Sequence, residues 1–298
     1  MRTAPTRIVA VLTASLIITA AASCSSSQKT TSGGTATTGC QPAGQLPDKI
    51  KSSGTITVAT DASYPPNEFF AADGTTLQGV DVDLATALGQ ALCVNVKVEN
   101  VKFDDIIPGL GTRFDLGISS FTDTQDREQT VDFVTYFSAG TSFLVQKGQN
   151  QELTSLDALC GKNVGVETGT TQANDAATQS TTCTTAGKAA IDLQTFPDQS
   201  GANLALSSGR VDVVMLDTPV AGYQAAQSED KFEVIGESYG VAPYGIAIPK
   251  GDEFAGFSDA LLAGMKQINS NGQYTALLGK WGVQSGAITD FQINGATS

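Results

Sequence analysis

The sequence predicts an α/β protein in which most strands run parallel. From residue 54 onward, short apolar runs typical of strands alternate with segments of helical periodicity. The clearest helical segment is 81–92, where Val82, Ala85, Leu88 and Leu92 recur at the spacing of one helix face. With 298 residues, the chain is long enough for one large domain or two of ordinary size. The pattern alone leaves open whether the strands form one sheet or two.

The predicted elements follow one another without a long linker. Strands are predicted at Thr55 to Thr60, Val94 to Val98, Leu116 to Ser119, Phe143 to Gln146, Val164 to Glu167, Ile191 to Phe196, Val211 to Asp217, Phe232 to Ile235 and Gly245 to Pro249. Helices are predicted at Asp81 to Leu92, Phe103 to Leu110, Gln172 to Ser180, Asn203 to Ser208, Pro219 to Gln227, Phe254 to Asn269 and Tyr274 to Trp281. Thr218 before Pro219 is a helix start signal, because a capping side chain precedes the residue best tolerated in the first turn.

The composition argues against several classes of function. Asp and Glu number 30 against 17 Lys and Arg, whereas nucleic-acid phosphates require clustered cations. The sequence contains no histidine, which removes the Ser/His/Asp and Cys/His forms of nucleophilic catalysis and every His-ligated metal site. It also contains no Cys-x-x-Cys pair. We therefore predict no nucleic-acid partner, no metal and no cofactor.

The first 23 residues are typical of an export signal. Arg2 and Arg7 precede an apolar run from Ile8 to Ala22, which is short for a membrane-spanning helix. The run ends at Ala21-Ala22-Ser23-Cys24, which resembles a bacterial lipobox, although Ala21 stands where Leu or Val is usual. We expect residues 1–23 to be removed and Cys24 to carry a lipid. Plain secretion is the alternative.

Residues 24–45 are expected to form a flexible tether, because they are rich in Ser, Thr and Gly and poor in apolar residues. A lipid anchor followed by a tether would place the folded part on the outer face of a membrane.

Four cysteines follow Cys24, and an even number outside the cytosol favours disulfides. Cys160 and Cys183 flank one short strand-helix unit, which predicts that they pair. Cys40 and Cys93 then pair by elimination, with buried free thiols as the alternative.

Polar residues directly follow four of the predicted strands. In open α/β sheets ligands bind beyond the carboxyl ends of the strands, so these residues are candidates for a site. The four segments are Asp61 to Phe69, Ser119 to Arg127, Gly165 to Gln172 and Val213 to Pro219. The first is an aromatic and acidic turn stiffened by two prolines, with an ordinary solvated loop as the alternative. The second and third lead into helices, whose free N–H groups attract anions, and Thr122 with Gln125 fits a capping box.

Arg127 and Asp217 are the charges that suggest a ligand. Arg127 can offer a bidentate fork to a carboxylate. The alternatives are that Arg127 pairs with Asp123 or Glu128 on a surface helix, and that Asp217 caps the following helix. Together, one Arg fork, two helix starts and one carboxylate are what a zwitterion requires.

Five stretches of the chain stand in a recognisable order. They are Gly79-Val80-Asp81-Val82-Asp83-Leu84, Ser119 to Arg127 with Val131-Asp132-Phe133, Gly169-Thr170-Thr171-Gln172, Ser208-Gly209-Arg210-Val211-Asp212 and Tyr244-Gly245-Ile246-Ala247-Ile248-Pro249-Lys250. Over about residues 46 to 284, their order and spacing resemble those of the family 3 bacterial solute-binding proteins, the polar amino acid group. The resemblance implies a type II periplasmic-binding-protein fold, in which two mixed sheets flanked by helices form two lobes joined by two hinge crossovers. Lobe 1 would comprise residues 46–138 and 241–298, and lobe 2 residues 139–240.

The resemblance also implies which residues hold a ligand between the lobes. Arg127 would bind an α-carboxylate with Thr122 and the backbone at Thr171, while Asp217 would bind an α-ammonium group with the backbone around Ser120. Tyr64 would cover the ligand. The full set of implied binding residues is Asp61, Tyr64, Ser119, Ser120, Thr122, Arg127, Thr170, Thr171 and Asp217.

Selectivity for the ligand side chain is predicted for Asp61, Glu68, Glu167 and Leu216. Glutamine binders of this family commonly carry Lys where Glu167 stands and His where Leu216 stands. Asp61 matches an acid that meets the cationic side chain in binders of basic amino acids. The four segments contain no cation besides Arg127, so the side-chain carboxylate of an acidic ligand would be buried without a partner. We therefore expect a basic or a neutral polar amino acid.

The resemblance implies a transport function rather than catalysis. The partners would be the permease and ATPase of an ABC importer, and the protein would act as a monomer on the extracellular face of the bacterial cell membrane. One alternative is a dehydratase-like enzyme of the same fold, for which Glu68 or Glu167 would be the acid or base. A ligand-sensing lipoprotein is another alternative.

Overall fold

The computed structural model of the protein describes residues 40 to 297. Its helices are α1 (Asp48–Ser53), α2 (Val80–Leu92), α3 (Phe103–Gly109), α4 (Gln125–Glu128), α5 (Thr171–Thr185), α6 (Gln199–Ser207), α7 (Thr218–Gln227), α8 (Phe257–Ser270) and α9 (Gln273–Trp281). Its strands are β1 (Thr55–Thr60), β2 (Ser63–Tyr64), β3 (Glu68–Phe70), β4 (Leu77–Gln78), β5 (Asn95–Asn100), β6 (Leu116–Gly117), β7 (Val131–Gln146), β8 (Asn163–Glu167), β9 (Asp192–Phe196), β10 (Val213–Asp217) and β11 (Phe232–Pro249). Every predicted strand and helix overlaps an observed element of the same type.

Two strands are much longer than predicted. β7 has 16 residues and β11 has 18, and the two strands predicted at Phe232 to Ile235 and Gly245 to Pro249 are the ends of one strand. The middle of β11 is polar and exposed, so it shows no apolar alternation. It is a strand because its backbone pairs with β7. The short strands β2 to β4 and helix α1 were not predicted, since elements this short give little periodicity.

One mixed sheet runs through the molecule in the order β5-β1-β6-β11-β7-β10-β8-β9. β1 is parallel to β5 and β6, and β8 is parallel to β9 and β10. The long strands β7 and β11 run antiparallel to each other and to their outer neighbours β10 and β6. We call the part around β1, β5 and β6 the first lobe and the part around β8, β9 and β10 the second lobe. The predicted two-lobed α/β class is confirmed, and the two expected sheets are continuous through the long strands.

The long strands pair irregularly where they pass from one lobe to the other. Their ladder shifts register between Ile235 and Tyr239 and again between Tyr239 and Ala242. Such irregularities bend a strand and increase its local twist. The predicted lobe boundaries, 46–138 with 241–298 and 139–240, stay a prediction.

Helices cover both faces of the sheet in the second lobe. Along β10, Val213 and Met215 pack into the core that includes α5, whereas Val214 and Leu216 pack into the core that includes α6 and α7. Alternate side chains of a strand point to opposite faces, so a strand covered on both sides is apolar throughout. In the first lobe, α2, α8 and α9 cover the larger of two cores. This layered arrangement leaves the carboxyl ends of the central strands at the junction of the lobes.

Both predicted disulfides are confirmed. Cys40 is bonded to Cys93, and Cys160 is bonded to Cys183. The second bond joins the turn before β8 to helix α5, as the position of the two cysteines around one strand-helix unit predicted.

Within residues 40 to 297, no helix is both long and apolar enough to cross a membrane. The predicted signal peptide of residues 1–23, the lipidation site Cys24 and most of the predicted tether of residues 24–45 lie outside the described residues.

Replacement of both Cys160 and Cys183 by Ala should lower the free energy of unfolding by about 3 kcal/mol, because a cross-link over a loop of this length restricts the unfolded chain. Urea unfolding at neutral pH measures this change. Thr182→Ala, an exposed change in the same helix, is the matched control and should shift the free energy by less than about 0.5 kcal/mol. Equal unfolding midpoints for the double variant and the wild type would contradict the expectation.

Candidate ligand-binding site

A cavity lies between the lobes at the carboxyl ends of β1, β6, β8 and β10. The lining residues are Asp61, Tyr64, Glu68, Phe103, Ser119, Ser120, Thr122, Arg127, Glu167, Thr170, Thr171, Gln172 and Asp217. All nine predicted binding residues therefore surround one cavity. Of the four residues predicted to set selectivity, Asp61, Glu68 and Glu167 line it, whereas Leu216 is buried in the second-lobe core.

The turn before α4 presents Arg127 to the cavity. The side chain of Thr124 accepts the N–H of Arg127 at 3.2 Å and caps the helix. The predicted capping box of Thr122 with Gln125 is wrong, because Thr122 forms an isolated bridge with Tyr244 and the helix begins later. Holding Thr122 beside β11 leaves its carbonyl free to accept a hydrogen bond from the Arg127 side chain.

The Arg127 guanidinium group connects the two lobes. Its Nη1 donates to the carbonyl of Thr122 at 2.8 Å, and its Nη2 donates to the carbonyl of Gly169 in the second lobe at 3.0 Å. The guanidinium carbon lies 5.5 Å from the ring centroid of Phe103 and 5.3 Å from that of Phe121. These contacts fix the plane of the cation through hydrogen bonding and cation–π attraction.

Arg127 forms no salt bridge with another described residue, although Asp123, Asp126 and Glu128 are close in sequence. The alternative in which Arg127 pairs with Asp123 or Glu128 is therefore wrong. Burial lowers the pKa of Arg127 to about 10, which still leaves it charged at neutral pH. The cavity thus contains a cation that is available to an anion.

Asp217 ends β10 and is held by residues from both lobes. Its Oδ1 accepts a hydrogen bond from Gln172 Nε2 at 2.7 Å, and its Oδ2 accepts one from the Tyr244 hydroxyl at 2.6 Å. Its backbone N–H donates to the Tyr64 hydroxyl at 3.0 Å. Burial raises the pKa of Asp217 to about 6, so the group is mostly ionised at neutral pH. The Asp217 side chain does not cap α7, and that helix begins at Thr218, one residue earlier than predicted.

Asp61 and Glu68 supply two further buried carboxyl groups. Asp61 accepts the N–H of Ser63 at 3.1 Å and that of Phe103 at 3.0 Å. Glu68 accepts the hydroxyls of Ser119 at 3.1 Å and Ser120 at 3.2 Å. Burial is the first cause that raises the pKa of both carboxyl groups, and that of Glu68 rises well above its usual range.

Glu167 is the least satisfied acid of the cavity. It ends β8 and is 3% exposed, and its Oε1 has no hydrogen-bond partner among the described residues. Burial, followed by the charge of Asp61, raises the pKa of Glu167 to about 9. A buried polar atom without a partner is costly, so this oxygen is suited to a donor supplied by a ligand.

The turn at Ser120 is shaped by an acid that does not line the cavity. Ser120 has a φ of 51°, a left-handed conformation that is uncommon for residues other than glycine. Asp81 Oδ2 accepts the Ser120 N–H at 2.8 Å, and the Tyr136 hydroxyl donates to the same carboxylate. Asp81 lies near the start of α2, shortly after Gly79. A Cβ atom on residue 79 would lie 2.1 Å from the Asn67 carbonyl oxygen. The sequence stretch around Asp81 therefore supports the site without lining it.

Two lining residues were not predicted. Phe103 begins α3, and its position soon after a predicted strand was the only sequence signal. Gln172 belongs to the stretch from Gly169 to Gln172 that resembles the family, but it was interpreted only as a helix start. Tyr64 was expected to cover a ligand. This stays a prediction: Tyr64 lines the cavity while its ring packs against the second-lobe core, and its hydroxyl accepts the N–H of Asp217.

The fold and the cavity define a two-lobed solute-binding protein. Residues 56–284 match the family model for bacterial extracellular solute-binding proteins, family 3, and the chain belongs to this family. The family predicted from the sequence is thereby confirmed.

Three related proteins agree with this assignment. The arginine-binding protein ArgT of Corynebacterium glutamicum is 29% identical over 252 residues, which are 84% of this chain and 81% of the relative. The solved structure of an ancestral arginine-binding protein bound to arginine has a TM-score of 0.69 and 34% identity, covering 76% of this chain and 98% of that one. The ancestral amino acid-binding protein AncCDT-1, a precursor of cyclohexadienyl dehydratase, has a TM-score of 0.70 and 33% identity, covering 78% and 98%.

The ligand-free protein should lose thermal stability as the pH rises from about 5 to about 9. A carboxyl group whose pKa is raised by folding stabilises the folded state below its unfolded pKa, and this stabilisation is lost as the pH rises through the folded pKa. For Glu167 the interval runs from its ordinary value of 4.5 to about 9.

Thermal unfolding at several pH values tests this expectation. Glu167→Gln should flatten the decline, whereas Glu253→Gln, a change at an exposed acid, should leave it unaltered. The same slope in Glu167→Gln as in the wild type would show that Glu167 is not the titrating group.

Proposed function

We propose that the protein is the extracellular substrate-binding subunit of an ABC importer and that it binds a basic amino acid. The observation that carries the proposal is the unpartnered Glu167 oxygen beside Asp61 in a cavity with four carboxyl groups and one guanidinium group. With a pKa raised to about 9, Glu167 holds a proton at neutral pH, and a cationic side chain could take the place of that proton.

The two ends of the zwitterion are assigned to the two groups with the clearest charge. Arg127, which has no ion pair with another described residue, receives the α-carboxylate together with Thr122 and the backbone at Thr171. Asp217 receives the α-ammonium group, because Gln172 and Tyr244 fix its carboxylate and burial excludes water. Ser119, Ser120 and Thr170 complete the wall around the ligand.

The ligand side chain is assigned to the region of Asp61 and Glu167. A guanidinium or ammonium group placed there would donate to Glu167 Oε1 and favour ionisation of both carboxyl groups. An acidic side chain would add a further buried anion without a cation. The arginine-binding relatives support this assignment. Neutral polar amino acids are the second candidates, since a protonated Glu167 can donate a hydrogen bond to an amide.

Binding without turnover is also part of the proposal. The relation to AncCDT-1 and the raised pKa of Glu167 favour an enzyme as a second candidate, because a protonated buried carboxyl can act as a general acid. The presence of both Arg127 and Asp217 favours simple capture, since the two groups would hold the carboxylate and the ammonium group of the amino acid. No residue is then assigned to react with the ligand.

The family and the first residues of the sequence support a location on the outer face of a membrane. We infer that residues 1–23 direct export and that Cys24 carries a lipid, so that the binding lobes stay close to a membrane-embedded permease and its ATPase. The protein would deliver its ligand as a monomer.

Isothermal titration should rank the ligands as arginine or lysine first, glutamine weaker and glutamate weakest. The expected gap between arginine and glutamate is at least about a hundredfold, because one unpaired buried charge costs several kcal/mol. Mass spectra of the recovered ligand should be unchanged, which separates capture from catalysis. Tighter binding of glutamate than of arginine would refute the basic-ligand proposal.

Single replacements of Arg127 or Asp217 by Ala should each weaken arginine binding by at least about thirtyfold, since breaking a buried charge contact costs a few kcal/mol. Ser228→Ala, at the end of α7 and outside the lining residues, serves as the control. Unchanged affinities would remove both groups from the site.

Glu167→Gln should weaken arginine binding and reduce its dependence on pH. In the wild type, affinity should rise between about pH 5 and pH 8, because a cationic ligand must displace the proton from a group whose pKa is raised. Titrations across this interval measure the effect. An equal pH dependence in the variant would place the side chain of the ligand elsewhere.

A further inference from the structure

The chain continues beyond the region that matches the family model. The match ends at residue 284, and residues 287–297, which we call the C-terminal segment, return to the first lobe. Phe291 in this segment is 4% exposed and packs edge-on against Tyr274 at a centroid distance of 5.4 Å. The segment is therefore part of the folded lobe.

The C-terminal segment lies along the start of β7. Thr135 donates its N–H to the Gln292 carbonyl at 2.9 Å, and the N–H of Asn294 donates to the Phe133 carbonyl at 3.0 Å. The Phe133 N–H donates in turn to Asn294 Oδ1 at 2.8 Å. β10 pairs only with the later part of β7, so the segment adds hydrogen bonds where β7 would otherwise have one neighbouring strand.

The end of the segment contacts the turn that presents Arg127. Gly295 donates its N–H to Asp123 Oδ2 at 2.8 Å, and Ala296 donates its N–H to Glu128 Oε1 at 3.0 Å. These two carboxyl groups flank Arg127 in sequence. Successive backbone donors of the segment therefore engage the acids on both sides of the arginine.

These contacts bear on the charge state of the turn. Asp123 is fully buried, and burial followed by the neighbouring Glu128 carboxyl raises its pKa to about 7. Asp123 Oδ1 has no hydrogen-bond partner among the described residues. Without the segment, Asp123 Oδ2 and Glu128 Oε1 would also lose their backbone donors, and the guanidinium group of Arg127 is the closest cation in sequence. An internal ion pair would compete directly with an incoming ligand carboxylate.

We propose that the C-terminal segment is a positioning element for ligand binding. By holding Asp123 and Glu128 on its own N–H groups, it keeps them away from Arg127 and fixes the turn in its binding geometry. Asn294, Gly295 and Ala296 are positioning residues that do not touch the ligand. The proposal rests on the proposed function of Arg127 as the carboxylate-binding group.

A double-mutant cycle tests the proposal. Deletion of residues 294–298 leaves Phe291 in place and should weaken arginine binding roughly tenfold, a coupling of ordinary size for groups that act through shared partners. In the Arg127→Ala background, the same deletion should change the affinity by less than about twofold. Gln292→Ala is the matched control within the segment, because the Gln292 side chain forms a hydrogen bond with Asp290 and with no other described residue.

Hydrogen exchange without ligand gives an independent measurement. Amides of residues 122–130 should exchange roughly tenfold faster in the deletion variant than in the wild type, since local opening becomes easier. If the deletion prevents folding, Asn294→Ala is measured in its place against the same criteria.

The outcomes separate the two proposals. Unchanged affinity with unchanged exchange, or an equal loss of affinity with and without Arg127, would overturn the positioning proposal. Failure of the wild type to bind arginine, or an Arg127→Ala variant that binds as tightly as the wild type, would overturn the proposed function. Even if the proposed function fails, hydrogen exchange of the amides of residues 122–130 in the ligand-free deletion variant would test whether the segment fixes the turn.

Discussion

Among the described residues that line the cavity there are four carboxyl groups and one guanidinium group, and the cost of burying these acids together governs the site. Burying an ionised group is costly unless it is paired or hydrogen-bonded. Asp217 and Asp61 reduce the cost by accepting hydrogen bonds from hydroxyl, amide and backbone donors. Glu68 accepts two serine hydroxyls, and burial still raises its pKa well above its usual range. Burial raises the pKa of Glu167 to about 9, so this group holds its proton at neutral pH. The proposed basic ligand rests on this protonated carboxyl group, whose Oε1 has no hydrogen-bond partner among the described residues.

The same groups join the two lobes across the cavity. The Tyr64 hydroxyl of the first lobe accepts the Asp217 N–H of the second, and Arg127 donates to the Gly169 carbonyl on the other side. β7 and β11 are the strands shared by both lobes, and their ladder is irregular where they cross. The groups proposed to bind the two ends of a zwitterion thus also connect the two lobes. A ligand that contacts both lobes favours the closed state by the difference between its closed-state and open-state contacts.

The sequence predicted those parts of the fold that have a local cause. β1 was predicted to the residue, and α2 to within one, because their apolar patterns are unbroken. The four cavity segments were predicted because parallel strands bring their carboxyl ends together. The middle of β11 was missed because it is a strand only through its pairing with β7. The freedom of Arg127 from Asp123 and Glu128 could not be predicted either, because their backbone donors lie 172 and 168 residues away in sequence.

The turn from Ser119 to Arg127 shows how distant residues fix a binding geometry. Asp81 holds the beginning of the turn by accepting the Ser120 N–H, and Asp123 holds a later point by accepting the N–H of Gly295. Both acids are buried, and both serve the backbone rather than the cavity. The turn is therefore fixed by residues outside the cavity, and Glu167 makes no hydrogen bond to it among the described residues. A substitution at Glu167 could then change the proposed side-chain site while Arg127, the proposed carboxylate-binding group, keeps its place.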